Sequence, residues 1–262
     1  MDEAVRDYLA ALVERARAVL GANLAGAYAA GSLGLGAYQP GRSDVDVALL
    51  VDESLDCATR RALVERLRHE ALPCPARGLE LVVYRRVVAA SGTGDPGFEV
   101  ELNTGAGLPF RASYDPADRS AADGRFWYAL DRAILHQSGL ALLGPPAAEA
   151  FAEPAPAQLR RLLVTALDWW LALPTPPGDV PAPGAEDAVL GACRALVRVT
   201  HGRWLAKSDA GRRLLDQGSD LAPADAELIR RSIAARAGGP APSGPSARAF
   251  QRRVRHRLAT MH

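Results

Sequence analysis

The chain has 262 residues, 48% of them hydrophobic, and its 31 Lys and Arg against 30 Asp and Glu leave a net charge of +1. That is apolar side chain enough for a sizeable core, which excludes wholesale disorder, and length enough for one large domain or two ordinary ones. The near-neutral balance gives no electrostatic case for a nucleic acid or a membrane surface as partner.

Taken in chain order, apolar residues at Val5, Leu9, Leu12, Val13, Ala16, Val19 and Leu20 have helical spacing, with Gly21 as the stop. Leu24 to Ala30 reads as a short strand running into Gly31, and the Gly-rich stretch 32–41 as a turn plus a short helix. Asp44 to Val51 is apolar on both faces, as a central strand must be. A helix is predicted over 55–70, strands over 79–84 and 98–102, and a helix over 121–138. Gly144-Pro145-Pro146 and the Pro154–Pro156 stretch break the chain, which sets a domain boundary between them: 1–150 and 151–262. After it the pattern is helical, over 156–173, 186–201, 208–217, 223–237 and 246–259, with loops rich in Pro and Gly at 174–184 and 238–245. The expected architecture is an α/β domain with a mixed sheet, followed by an all-α helical bundle. Cys57, Cys74 and Cys193 form neither a metal-type pair nor a disulfide framework. The N-terminus lacks a long apolar core, and no apolar run approaches the roughly 18–20 residues that span a bilayer. A cytoplasmic, monomeric protein is expected.

One constellation carries chemistry. Gly31-Ser32 is followed after ten residues by Ser43-Asp44-Val45-Asp46, which enters the apolar run Val47–Val51. Carboxylates two apart on a strand share a face. Held that close they repel, and a divalent cation removes the conflict; a set of oxygen ligands suits Mg²⁺. The small Gly31-Ser32 turn leaves room for a phosphate beside the backbone. Glu80 is the only charge in the strand LELVVY. If that strand neighbours the Asp44–Asp46 strand, three carboxylates converge, and the third either completes the cation site or accepts a proton from an attacking hydroxyl. The parts together point to metal-assisted nucleotide transfer.

The stretch GSLGLGAYQPGRSDVDVALLV resembles the active-site signature of the polymerase-beta-like nucleotidyltransferases. RGLELVVY resembles the acidic strand that follows in the streptomycin/spectinomycin adenylyltransferases, and HQSGLALLGPP is similar to the segment closing their first domain. GAEDAVLGACRALVRVTHGRWLAK (184–207) is similar to a helix and turn of their helical second domain. The resemblance implies ATP as co-substrate and two Mg²⁺ ions. It implies Asp44, Asp46 and Glu80 as metal ligands, with Glu80 also the catalytic base. Gly31, Ser32 and Ser43 would lie on the nucleotide, and Arg194 and Lys207 on its phosphates. The implied acceptor is an aminoglycoside or aminocyclitol, a small molecule of the streptomycin or spectinomycin type. Such polycations call for carboxylates and a flat aromatic surface, and Trp170, Asp179, Glu186 and Asp187 are the candidates. The segment LNTGAGLPF departs from the family, with Gly105 and Gly107 where a tryptophan is usual. Two rival readings keep less: a nucleotidyltransferase acting on a protein, an RNA end or a sugar-like metabolite, and a nucleotide-binding regulator without catalysis. The Arg-rich last helix reads as a solvated face or one paired with acids of the same fold.

Overall fold

A computed structural model describes residues 1–120, 123–217 and 221–261. Its contacts divide the chain into two compact units, Met1–Ala155 and Pro156–His262.

The first unit is built on a six-stranded sheet in the order β5-β4-β3-β2-β1-β6. Its strands are β1 (Leu24–Ala29), β2 (Val45–Val51), β3 (Leu79–Arg85), β4 (Phe98–Gly105), β5 (Leu108–Ser113) and β6 (Leu140–Leu143). Its helices are α1 (Glu3–Leu20), α2 (Gly31–Gly34), α3 (Cys57–Leu67), α4 (Arg86–Ala89), α5 (Trp127–Ser138) and α6 (Ala147–Ala150). β2 and β3 are parallel; the other pairs are antiparallel. α1 starts where Asp2 caps the Ala4 and Val5 amides and ends at Gly21, whose φ of 56° suits a residue without a Cβ.

The central strands are apolar on both faces because helices cover both. Val45, Val47, Leu49, Leu79, Leu81, Val100 and Leu102 pack with Leu9 and Leu12 of α1 and Leu63 and Leu67 of α3. On the other face Ala48, Leu50, Tyr84 and Phe98 pack with Tyr128 and Leu135 of α5, with α6, and with Phe151. That second core is confined to the C-terminal ends of β2 and β3. Asp46 and Glu80, on the same face, stand at the N-terminal ends, where cover is only partial. His136 is held in the fold, its Nδ1 2.7 Å from the Phe151 carbonyl oxygen.

Two strands escape the sequence pattern. β5 contains Pro109 and lies at a sheet edge, the one place a strand tolerates proline. β6 is a four-residue strand on the opposite edge. The predicted helix over 121–138 is shorter, beginning at Trp127; residues 121–122 lie outside those described.

The second unit is helical: α7 (Pro156–Ala172), α8 (Ala185–His201), α9 (Lys207–Gln217), α10 (Pro223–Arg236) and α11 (Gly244–Thr260). α8 is its centre and packs against each of the other four. Val189, Leu190, Cys193, Leu196 and Val197 are its buried stripe. The Pro-rich loop after α7 is fastened to the start of α11, where the Ala182 amide donates to the Pro242 carbonyl at 3.1 Å. The basic face of α11 is largely paired within the unit: Arg255 forks Asp168 at 2.8 and 3.0 Å, and Arg253 forks Asp225. No helix among the described residues is long and apolar enough to cross a membrane.

Candidate active site

β1 delivers the chain to Gly31, which opens α2 with a φ of +52°. A Cβ at this position would lie 1.8 Å from Asp46 Oδ2. Only glycine permits that approach, so the backbone of the Gly31-Ser32 turn rests directly on the Asp46 carboxylate. The contact is fixed from below, since the Ala30 amide donates to the Asp46 carbonyl at 2.9 Å. Ser32 follows, and its Oγ is buried with no hydrogen-bond partner among the described residues. An orphaned hydroxyl costs roughly 1–3 kcal/mol unless a ligand or water meets it. Ser43 is differently placed. It is buried, and its Oγ accepts the Gln39 amide at 3.0 Å, so this side chain closes the loop between α2 and β2.

Asp46 and Glu80 are direct partners in the β2–β3 register. The same row continues to Asn103 on β4 and Arg111 on β5, all on one face of the sheet. Beside it lies Glu101, buried and paired with Arg111 Nη2 at 2.8 Å. Glu80 has its proton affinity raised above the usual carboxylate value, first by burial and then by the charge of Asp44; Arg111 and Arg77 oppose the shift.

Asp44, whose charge acts on Glu80, is itself held by an arginine. Arg77 forks it, with Nε 2.7 Å from Oδ1 and Nη2 2.9 Å from Oδ2. Among the described residues no group of three or more His, Cys, Asp or Glu is drawn together as a metal ion would require. The β2–β3 register thus sets Asp46 beside Glu80, and Asp44, two residues before Asp46, is in the grip of an arginine. Arg77, Asn103, Glu101 and Arg111 go unremarked in the sequence. For Glu101 and Asn103 a signal existed: FEVELN places polar side chains inside an apolar strand, where burial demands partners.

In the helical unit Arg194 and Lys207 belong to a cluster. The Lys207 Nζ is 3.2 Å from Asp187 Oδ1, and Arg236 of α10 pairs with the same oxygen. Burial lowers the proton affinity of Lys207; Asp187 raises it, and the neighbouring charges of Arg194 and Arg236 lower it further. Arg194 and Arg198 lie over the Trp204 ring, 5.9 and 5.6 Å from its centroid. Arg236 is the member that sequence inspection missed; an arginine ending an ordinary helix carries no local mark.

Of the four residues expected on the acceptor, two are engaged inside the fold. Asp187 is the counter-ion just described. Glu186 is buried, and its Oε2 accepts the Gly184 amide at 3.0 Å at the start of α8. Asp179 is exposed in the Pro-rich loop. Trp170 stands edge-on to Trp169, ring centroids 5.2 Å apart, and lines a groove of about 150 Å³ with Pro174, Pro183 and Gln251.

No family model matches the chain, and no curated relative matches it. Among solved structures it is similar to the spectinomycin adenyltransferase AAD(9) of Enterococcus faecialis, determined with ATP and spectinomycin. The identity is 14%, the TM-score 0.69, and the match covers 98% of this chain and 100% of that one. The chain shares the fold of that structure. In this fold a mixed sheet carries the carboxylate row in the first unit, and the helical unit carries the cation cluster.

Proposed function

We propose that the protein is a nucleotidyltransferase that moves AMP from ATP to a hydroxyl of an aminoglycoside or aminocyclitol. One observation carries the reading. Asp46 and Glu80 stand in register on neighbouring parallel strands, with the Gly31-Ser32 backbone pressed against the first of them.

The residues fit a divalent cation by their chemistry. Asp44, Asp46 and Glu80 are hard oxygen donors, and the proton affinity of Glu80 is raised first by burial and then by the charge of Asp44. Mg²⁺ held by these three, as two ions in the fullest case, would neutralise charge on the phosphoryl oxygens of ATP. The remaining steps fall to the chain. Ser32 donates its orphaned hydroxyl to a phosphate oxygen. Arg194 and Lys207 hold the β- and γ-phosphates, an arginine fork and a lysine point charge being suited to that task. Glu80 takes the proton of the acceptor hydroxyl as its oxygen attacks the α-phosphorus. A new O–P bond forms, the bond to the β-phosphate breaks, and pyrophosphate leaves. Burial and a negative neighbour make Glu80 a stronger base than a free carboxylate.

The neighbouring structure holds spectinomycin, and Trp170 on its groove offers a flat surface for a polycation's rings. The test is incubation with ATP, Mg²⁺ and a panel of aminoglycosides and aminocyclitols, followed by mass spectrometry. The expected result is a mass gain of one AMP on at least one drug, with release of pyrophosphate. No gain on any of them overturns the acceptor class. A second reading keeps the transfer and changes the acceptor to a protein hydroxyl, an RNA end or a sugar-like metabolite. It is favoured by the engagement of Glu186 and Asp187 within the fold, which withdraws two acids from a polycation. Labelled AMP appearing on lysate components and on no drug supports it.

A further inference from the structure

Arg77 is built into its place more firmly than a surface arginine needs to be. Its amide faces the Ser43 carbonyl at 3.4 Å, and its carbonyl accepts the Gly107 amide at 2.8 Å, so the backbone is pinned between the entry to β2 and the β4–β5 turn. That turn is glycine-flanked for a reason. A Cβ on Gly105 would lie 2.3 Å from the Gly78 Cα and 2.6 Å from the Arg77 carbonyl oxygen, and a Cβ on Gly107 would lie 2.4 Å from Arg77 Cγ. The hairpin is stripped of side chains where the Arg77 stem lies across it. From this bed the guanidinium reaches Asp44 and takes both carboxylate oxygens.

The need for such a cation is electrostatic. Asp44 and Asp46 flank the start of β2, and Glu80 is in register with the second of them. Three like charges this close repel one another, and a positive partner lowers that cost. The charge of Arg77 also acts against the effect of Asp44 on Glu80. Both Asp44 oxygens are engaged by the guanidinium, and among the described residues no group of three or more His, Cys, Asp or Glu is drawn together as a metal ion would require.

We propose that Arg77 is an internal counter-ion that stands on Asp44 in place of a divalent cation and must yield the carboxylate when the cation binds with nucleotide. The proposal rests on the reading of Asp44 and Asp46 as cation ligands. The exchange is feasible because the pair is open to solvent on the arginine side, where the Arg77 side chain is 47% exposed against 19% for Asp44. A fork reached by water is far cheaper to open than a buried one. Arg77 therefore sets how tightly the site takes its cation, and it does so before any chemistry.

The test is titration of the full chain with Mn²⁺, with and without a non-hydrolysable ATP analogue, following the free Mn²⁺ signal by electron paramagnetic resonance. The variants are Arg77→Gln, Arg77→Lys, Asp44→Asn and the double variant Arg77→Gln/Asp44→Asn, each checked by circular dichroism. Arg77→Gln is expected to bind Mn²⁺ roughly five- to tenfold more tightly than the wild type, the scale of one forked ion pair at a half-open site. Arg77→Lys, with one ammonium that cannot fork both oxygens, should fall between. In the Asp44→Asn background, removal of Arg77 should change nothing. Equal or weaker binding by Arg77→Gln, with binding still lost in Asp44→Asn, overturns the counter-ion role and leaves the proposed function standing. If Arg77→Gln does not fold, Arg77→Lys decides by the same criterion. If neither the wild type nor any variant takes up Mn²⁺ with nucleotide present, the cation-site reading fails and the inference with it.

Discussion

The two units answer the same electrostatic problem with opposite signs. In the sheet unit Arg77 and Arg111 sit among carboxylates. In the helical unit one aspartate, Asp187, sits among cations, paired with Lys207 and Arg236 and near Arg194. In each case the minority charge holds side chains that would otherwise repel. Each unit also keeps an excess of its majority sign, which suits the ligands of the proposed function: a divalent cation in the first, a phosphate chain in the second. A net charge of +1 for the whole chain conceals both excesses, because they cancel.

The largest expected effect breaks the acidic half. Glu80→Gln keeps the shape and removes the base, and the rate of pyrophosphate release should fall by about a hundredfold or more. A rate within tenfold of the wild type would remove Glu80 from catalysis. Next is Gly31→Ala, which sets a methyl group 1.8 Å from Asp46 Oδ2 at a φ of +52°. Strain and displacement together should cost about 2–4 kcal/mol, read as a lower midpoint in a thermal or urea melt; an unchanged midpoint would mean the contact is not as close as described. On the basic half, Arg236→Gln removes one of the cations paired with Asp187. The pair is only partly exposed, so the loss should be about 1–2 kcal/mol. The same variant should raise the KM for ATP if Arg236 helps to hold Lys207 in place, with kcat little changed.

A smaller effect is a matter of sign. The Glu80 proton affinity is raised in the folded state above the ordinary value of 4.5. The fold therefore favours its protonated form, and the associated stability is present below that pH and lost as pH rises through the folded value. In metal-free buffer Glu80→Gln should consequently melt higher than the wild type at neutral pH, with the difference vanishing near pH 4. Smallest of all, Arg255→Ala opens an exposed fork to Asp168 and should shift stability by less than about 1 kcal/mol.

Much of this was legible in the sequence, for identifiable reasons. β2 and β3 are flanked by helices on both faces, so their apolar runs are long enough to read, and Glu80 stands out inside one of them. The helices of the second unit have clear stripes bounded by Pro and Gly. β5 and β6 were not legible, because an edge strand needs neither alternation nor a long apolar run. The grip of Arg77 on Asp44 was hidden for another reason. It spans thirty-three positions and depends on the absence of side chains at Gly105 and Gly107. In the sequence those glycines stand out only as a departure from the resembling family; in the fold they are a seat. Arg236 and Asp187 lie forty-nine positions apart, and an ion pair between two helices leaves no periodic trace in either.

The sheet's borders have a bearing on handling the protein. On one side, Pro109 removes an amide donor from β5 and Arg111 adds charge beside it; on the other, β6 stops after four residues. Neither margin offers a long, flat template onto which a neighbouring molecule's backbone can zip. Concentrated solutions should accordingly resist fibril growth seeded at these rims.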